Sequence, residues 1–377
     1  MNSKYKYIKI ISLNILVFIT ILSSSIFFFV LFGEVFRYSK NYYLSKTSKC
    51  IRSSCLETYK NIPWARKHFE EHGQVKFHYE SPVVWRGNEF HGETINVDLP
   101  YYTRRTINNN LENSTKTVFF FGGSVMKGFG SNNENTIPSH FSKISNYKSL
   151  NFGEDAWVSD QSLLYLIKLI KDGNKPDYVI FLNGANDVSK CSNINGKEHS
   201  FLTEDQLRDK LDDNIIKQPK LSFSYYFQIP IEVVKSLKRL NPEQIINEKR
   251  PENLSECLKT DLHSKIARNL VNNWMLADNL VQQNGGKFFA FLEPHIAFTN
   301  TKIDNKIVWF PNSLHDNQVK AVYFEINNLI KNKINMKTFQ SIYNNIDDYI
   351  FIDHAHVTPK ANEIMAEKIF QVIKNSQ

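Results

Sequence analysis

Apolar residues in this chain gather into short unbroken runs separated by stretches with helical spacing. Thr117-Val118-Phe119-Phe120-Phe121 stops at Gly122-Gly123-Ser124, the profile of a strand buried on both faces. Similar runs recur at 149–152, 178–182, 288–292 and 349–352. Between them, apolar positions repeat at helical intervals over 159–171, 262–283 and 318–331. After Pro359 a last helix carries Ile364, Ala366, Ile369, Phe370 and Ile373 on one side. Strands alternating with helices predict an α/β fold, a three-layer doubly wound parallel sheet covered on both faces. Upstream, Pro63 opens a short helix over 64–72. Residues 75–109 read as short strands and turns punctuated by Pro82, Gly87, Gly92 and Pro100. The Asn/Lys-rich, weakly periodic stretch at about 190–260 reads as an insertion, with Cys191 and Cys257 placed to bridge its base.

The N-terminus follows a different pattern. From Ile10 to Phe32 no residue is charged, and such a stretch reaches roughly 30–35 Å as a helix, enough to span a bilayer. A cleaved signal peptide has an apolar region of about 7–15 residues and a small-residue exit. Here the exit is Phe32-Gly33-Glu34-Val35-Phe36, so the reading is an uncleaved single-pass anchor in the lipid bilayer. The basic head Lys4, Lys6 and Lys9 favours an inside N-terminus and a periplasmic or extracellular C-terminal portion. Three regions are therefore expected: an anchor at 1–37, a stalk with short strands at 38–115, and the α/β domain at 116–377. Cys50 and Cys55 in the stalk are close enough to pair locally in an oxidising compartment.

Composition narrows the function. Of 377 residues, 46 are Lys or Arg and 38 are Asp or Glu, a net charge of +8 spread along the chain. No compact basic run interleaved with aromatics is present, so no nucleic-acid partner is expected. Four Cys are too few for a disulfide scaffold and are not spaced as paired zinc-binding motifs.

In an open α/β sheet, ligands bind beyond the carboxyl ends of the strands. Gly122-Gly123-Ser124 follows the first run, Gly153 the second, Gly184-Ala185-Asn186-Asp187 the third and Asp353-His354-Ala355-His356 the last. A serine, a histidine and a carboxylate on one rim suit acyl transfer. The imidazole takes the hydroxyl proton, the carboxylate holds the tautomer, and N–H groups stabilise the oxyanion. These four blocks, in this order, resemble the SGNH (GDSL-like) hydrolase superfamily over residues 116–375, as a membrane-anchored bacterial-type member. The resemblance implies Ser124 as nucleophile, Asp353 and His356 as its triad partners, and Ser124, Gly153 and Asn186 as the oxyanion hole. It implies hydrolysis of an ester, an O-acyl group on a glycan or a small ester, through an acyl-enzyme. Acyl transfer to a cell-envelope polysaccharide and a catalytically silent glycan-binding protein are the alternatives. One departure stands out: the family's name motif has Asp before the serine, where this chain has Gly123.

Other patterns carry less. His68-Phe69-Glu70-Glu71-His72 matches H-x-x-E-H, but no distant carboxylate motif completes a zinc site, and a charged surface helix accounts for it. His354 competes with His356 as the base, and the three-residue spacing from Asp353 favours His356. Gly128-Phe129-Gly130 lacks the third glycine of a dinucleotide fingerprint, no P-loop is present, and no serine sits in a Gly-x-Ser-x-Gly elbow. No cofactor or metal is expected.

Overall fold

The structure is a computed structural model. It describes residues 13–25, 27, 28, 31–33, 35, 39, 52–107, 114, 116–192, 256–307, 309–311 and 313–376. The expected insertion falls almost wholly outside the described residues, as do Cys50 and part of the expected anchor. Within that anchor, 13–25 is helical and its apolar side chains are exposed, from Val17 at 49% to Phe18 at 67%. No helix among the described residues is long and apolar enough to cross a membrane.

The sheet has eight strands. In chain order these are β3 (Phe90–His91), β4 (Asn96–Asp98), β5 (Thr103–Arg104), β6 (Thr117–Gly122), β7 (Lys148–Asn151), β8 (Tyr178–Asn183), β9 (Lys287–Leu292) and β10 (Met336–Thr338). Their spatial order is β10-β9-β8-β6-β7-β5-β4-β3. A separate hairpin pairs β1 (Phe77–Glu80) with β2 (Val84–Gly87). Strands β10, β9, β8, β6 and β7 are parallel, and β5, β4 and β3 continue the edge antiparallel. The sheet is therefore mixed rather than all-parallel, because the short strands expected as a stalk extension pair onto β7 through Arg104 and Asn151.

Alternation along each central strand builds two cores. Phe119, Phe121, Val179, Phe181, Phe288 and Ala290 face one side, where Leu166, Leu270, Trp274 and Val322 cover them. Val118, Phe120, Ile180, Leu182, Phe289 and Phe291 face the other, under Phe141, Met365, Ala366 and Ile369. The covering helices, after α1 (Ala65–His72) and α2 (Ser124–Lys127), are α3 (Ile137–Ser145), α4 (Ser159–Lys171), α5 (Ala185–Val188), α6 (Glu256–Lys259), α7 (Leu262–Gln283), α8 (Leu314–Ile330) and α9 (Pro359–Lys374). Thr358 caps α9 by accepting from the Ala361 N–H, and Pro359 takes its first turn, where a missing N–H costs nothing.

The run at 349–352 is not a sheet strand. Phe351 bridges Val357 antiparallel, with the Ile352 N–H donating to His356 O at 2.9 Å and the Thr358 N–H to Ile350 O at 2.9 Å. This closes a tight turn, and β10 occupies the sheet edge instead. Parallel register aligns the carboxyl ends: Gly122 sits opposite Leu182, and Asn183 opposite Leu292. Whatever follows those residues shares one rim.

Candidate active site

Ser124 opens α2 directly beyond β6. Its Oγ–H donates to His356 Nε2 at 2.6 Å, and His356 Nδ1–H donates to Asp353 Oδ2 at 2.7 Å. Asp353 accepts only, so the Nδ1 proton lies on its side and Nε2 keeps the lone pair that faces serine. The other carboxylate oxygen, Oδ1, accepts the Ala355 N–H at 2.9 Å and the His356 N–H at 2.8 Å, which locks the turn that presents the imidazole. Burial opposes ionisation of Asp353, but the His356 imidazole and these two backbone donors outweigh it and hold the carboxyl well below the usual carboxylate range. Phe129 packs against the imidazole, with ring centroids 4.2 Å apart. His354 points elsewhere: it lies near His295 and His315, and burial lowers its pKa.

Asn186 sits at the start of α5 and donates one Nδ2 hydrogen to Trp157 O at 2.9 Å. A Cβ on Gly123 would lie 2.5 Å from that Nδ2. The missing side chain at the position where the family motif has Asp is what lets the amide come this close to the residue preceding Ser124. The Ser124 N–H, at the first position of its helix, has no acceptor among the described residues.

Gly153 follows β7 as expected, but the N–H expected in the oxyanion hole is engaged. Its N–H donates to Asn151 Oδ1 at 3.0 Å, while Asn151 Nδ2 donates to Met126 O at 2.9 Å. Its glycine identity has another cause, since a Cβ there would lie 2.5 Å from Lys127 N. The loop's uncommitted donor is Ala156, whose N–H has no acceptor among the described residues and whose φ is +61°. A non-glycine residue in the left-handed region is strained, and such residues persist where the surroundings over-determine them. Its neighbour Trp157 carries the carbonyl bound by Asn186, and that oxygen would lie 3.4 Å from a Cβ on Gly123, the residue before the serine. The signal that could have found Ala156 is conformational and invisible in residue types alone.

The helix at 64–72 is present as α1, but it is not a surface helix. His68 and Glu71 are buried. His68 Nε2 accepts the Gly130 N–H at 3.0 Å, and Glu71 accepts from the N–H groups of Glu93, Thr94 and Ile95 and from the Thr94 hydroxyl. These side chains are spent on loops next to the site. Cys191 and Cys257 are joined across 66 residues, as their positions suggested, and Cys55 is also disulfide-bonded.

The profile of the family described as GDSL-like Lipase/Acylhydrolase matches residues 118–369. Among solved structures, a member of the lipolytic G-D-S-L family from Veillonella parvula DSM 2008 is 14% identical, covering 68% of this chain and 98% of that one, with a TM-score of 0.37. A GDSL-like lipase from Bacteroides thetaiotaomicron VPI-5482 is 14% identical (70% and 89%; TM-score 0.36). The acetyl xylan esterase AlAXEase is 13% identical (68% and 99%; TM-score 0.38). Among curated proteins, Reticulocyte-binding protein 2 of Plasmodium vivax (strain Belem) is 26% identical over 235 residues, 59% of this chain. This chain spans 8% of that protein's length.

Proposed function

The chain belongs to the GDSL-like lipase/acylhydrolase family and is an ester-acting hydrolase; from that premise we propose that Ser124, His356 and Asp353 form its catalytic relay and cleave O-acyl esters through an acyl-enzyme. The observation that carries this reading is the continuous hydrogen-bonded line from Ser124 Oγ through His356 to Asp353, drawn from residues 232 and 3 positions apart. In the reaction Ser124 Oγ attacks the ester carbonyl carbon and passes its proton to His356 Nε2. Asp353 stabilises the resulting imidazolium. The oxyanion is held by the Ser124 N–H, the second Nδ2 hydrogen of Asn186 and the Ala156 N–H. Collapse breaks the bond to the alcohol, which leaves with the proton from His356. Water then attacks the acyl carbon, returns a proton through His356 to Ser124 Oγ, and releases the carboxylic acid.

The apolar segment at 10–32 serves as the membrane anchor in this proposal, supported by the absence of charge and the exposure of its described apolar side chains. The Cys191–Cys257 bond supports a catalytic unit on the oxidising side of that membrane.

The test uses the full chain in detergent with p-nitrophenyl acetate and a fluorophosphonate probe. Wild type hydrolyses the ester and is labelled; Ser124→Ala folds, does neither, and loses turnover by about 10⁴-fold or more. Equal turnover in the two proteins overturns the assignment. Acylated glycan formed at the expense of free acid, when an oligosaccharide is supplied, identifies a transferase instead.

A further inference from the structure

Residues 52–107 lie outside the matched family region, yet they hold the site from behind. The hairpin strand β2 contributes Trp85, Arg86 and Gly87, and all three grip the loop at 152–157 between β7 and α4. Arg86 is fully buried. It donates to Phe152 O at 3.1 Å and to the carbonyls of Tyr101 and Tyr102 at 3.3 and 2.5 Å. Its guanidinium also lies 3.5 Å from Glu154 Oε2 and 5.0 Å over the Trp157 ring. The Gly87 N–H donates to Glu154 Oε2 at 2.8 Å, and Trp85 Nε1–H to Asp155 O at 3.0 Å. Trp157 Nε1–H returns a bond to Trp85 O at 3.2 Å. From the serine side, Lys127, on the same short helix as Ser124, pairs with Glu154 and, at 2.9 Å, with Asp155.

Lys127 and Arg86 thus meet the buried Glu154 and the half-buried Asp155 in a cluster that joins the nucleophile's helix to the loop. The geometry has one further consequence. Phe152 C=O and Gly153 N–H belong to one planar trans peptide, so a guanidinium fixed on the oxygen fixes the direction of the whole unit. With that carbonyl, the Glu154 carboxylate, the Asp155 carbonyl and the Trp157 ring all held, the strained Ala156 peptide has little freedom, and its N–H stays uncommitted.

We propose that Arg86 is a positioning residue for the oxyanion site: through the Phe152 carbonyl and Glu154 it sets the loop that presents Ala156 beside Ser124 and Asn186. The segment before the family domain is then part of the catalytic apparatus rather than a stalk. This rests on the reading of Ser124 as nucleophile. Lysine cannot replace the function, since a single ammonium cannot reach three carbonyls and lie flat on an indole, although it keeps the charge that balances Glu154 and Asp155.

The experiment compares wild type, Arg86→Lys and the milder Trp85→Phe as full chains, each normalised to the fraction of sites a fluorophosphonate labels. Two substrates are used, p-nitrophenyl acetate and its thionoester. Sulfur is larger and a poorer hydrogen-bond acceptor, so the thionoester takes little help from donors set for oxygen. For Arg86→Lys, kcat on the oxygen ester falls about 10–100-fold with KM changed less than about threefold, because small displacements of catalytic groups cost up to about 10²-fold. The ester-to-thionoester rate ratio falls with it; Trp85→Phe shows the same trend, smaller. If Ser124→Ala is dead while Arg86→Lys matches wild type per labelled site, or both substrates fall in parallel, the Arg86 proposal is overturned and the Ser124 reading stands. If Ser124→Ala is as active as wild type, both fall together.

Discussion

Asp353→Asn separates a working relay from three residues that merely touch. Asparagine keeps the shape, and its Oδ1 can still accept the Ala355 and His356 N–H groups now held at 2.9 and 2.8 Å, so the turn survives. What changes is the atom facing His356 Nδ1, now 2.7 Å from a carboxylate oxygen. An amide NH₂ there donates, forces Nδ1 to accept, and moves the ring proton to Nε2. That nitrogen then faces Ser124 with a hydrogen instead of a lone pair and cannot take the hydroxyl proton. The same inversion in a serine protease lowers kcat about 10⁴-fold, equivalent to roughly 5 kcal/mol of transition-state stabilisation. Initial rates on p-nitrophenyl acetate near pH 7, normalised to folded protein by circular dichroism, read the effect. A rate within tenfold of wild type would refute the relay. The same variant has a stability signature whose sign follows from the depressed pKa of Asp353. The carboxylate's contribution is fully present above the unfolded value of about 3.9 and fades as pH falls below it. Denaturant midpoints of wild type and variant should therefore differ by a constant amount near pH 7 and begin to draw together only once the pH falls below about 3.9.

Two further outcomes are expected. Asn186→Ala removes one oxyanion donor together with the bond to Trp157 O, and should lower kcat about 10²–10³-fold with KM little altered; a pure KM effect in steady-state kinetics would count against that role. Glu293 is buried beside Asp187, and burial first, then that neighbour, push its carboxyl up to about 8. The native state therefore keeps a proton that the unfolded chain loses near its ordinary value of about 4.3, and stability falls as pH rises from there to about 8. Glu293→Gln should gain on wild type across that window and show no advantage at pH 4; midpoints that stay parallel over the whole range would contradict it.

Much of this was legible in residue order because burial on both faces leaves its own trace. Runs such as 117–121 and 178–182 became central strands, and the side chains after them converged because parallel strands end on one rim. Ser124 and Asn186 could be read this way, whereas Asp353 and His356 come from a tight turn. The run at 349–352 misled for the same reason, since a short buried apolar stretch looks alike whether it pairs in a sheet or closes a turn. The Gly153 expectation rested on residue type, whereas the fold decides which N–H groups stay uncommitted. Asn151 takes the one at 153, and the φ of +61° at Ala156 belongs to a residue that nothing in the sequence marks as left-handed. Edge strands β3–β5 are two or three residues long, too short for a periodicity to reveal their partner.

The departure at position 123 can be set beside the charges under the nucleophile's helix. Gly123 carries no side chain where the family motif has a carboxylate, and Asn186 Nδ2 occupies the space a Cβ would need. An Asp there would force the amide, or the backbone before the nucleophile, to move. On the same short helix as Ser124, Lys127 pairs with two carboxylates of the following loop, Glu154 and Asp155. Glu154 is removed from the surface, and the hairpin supplies it with a second cation, Arg86. A buried charge left unpaired is far more costly than a surface one. A loop carrying two carboxylates beneath the nucleophile therefore has to fold together with its countercharges, which binds the fate of residues 52–107 to that of the catalytic rim.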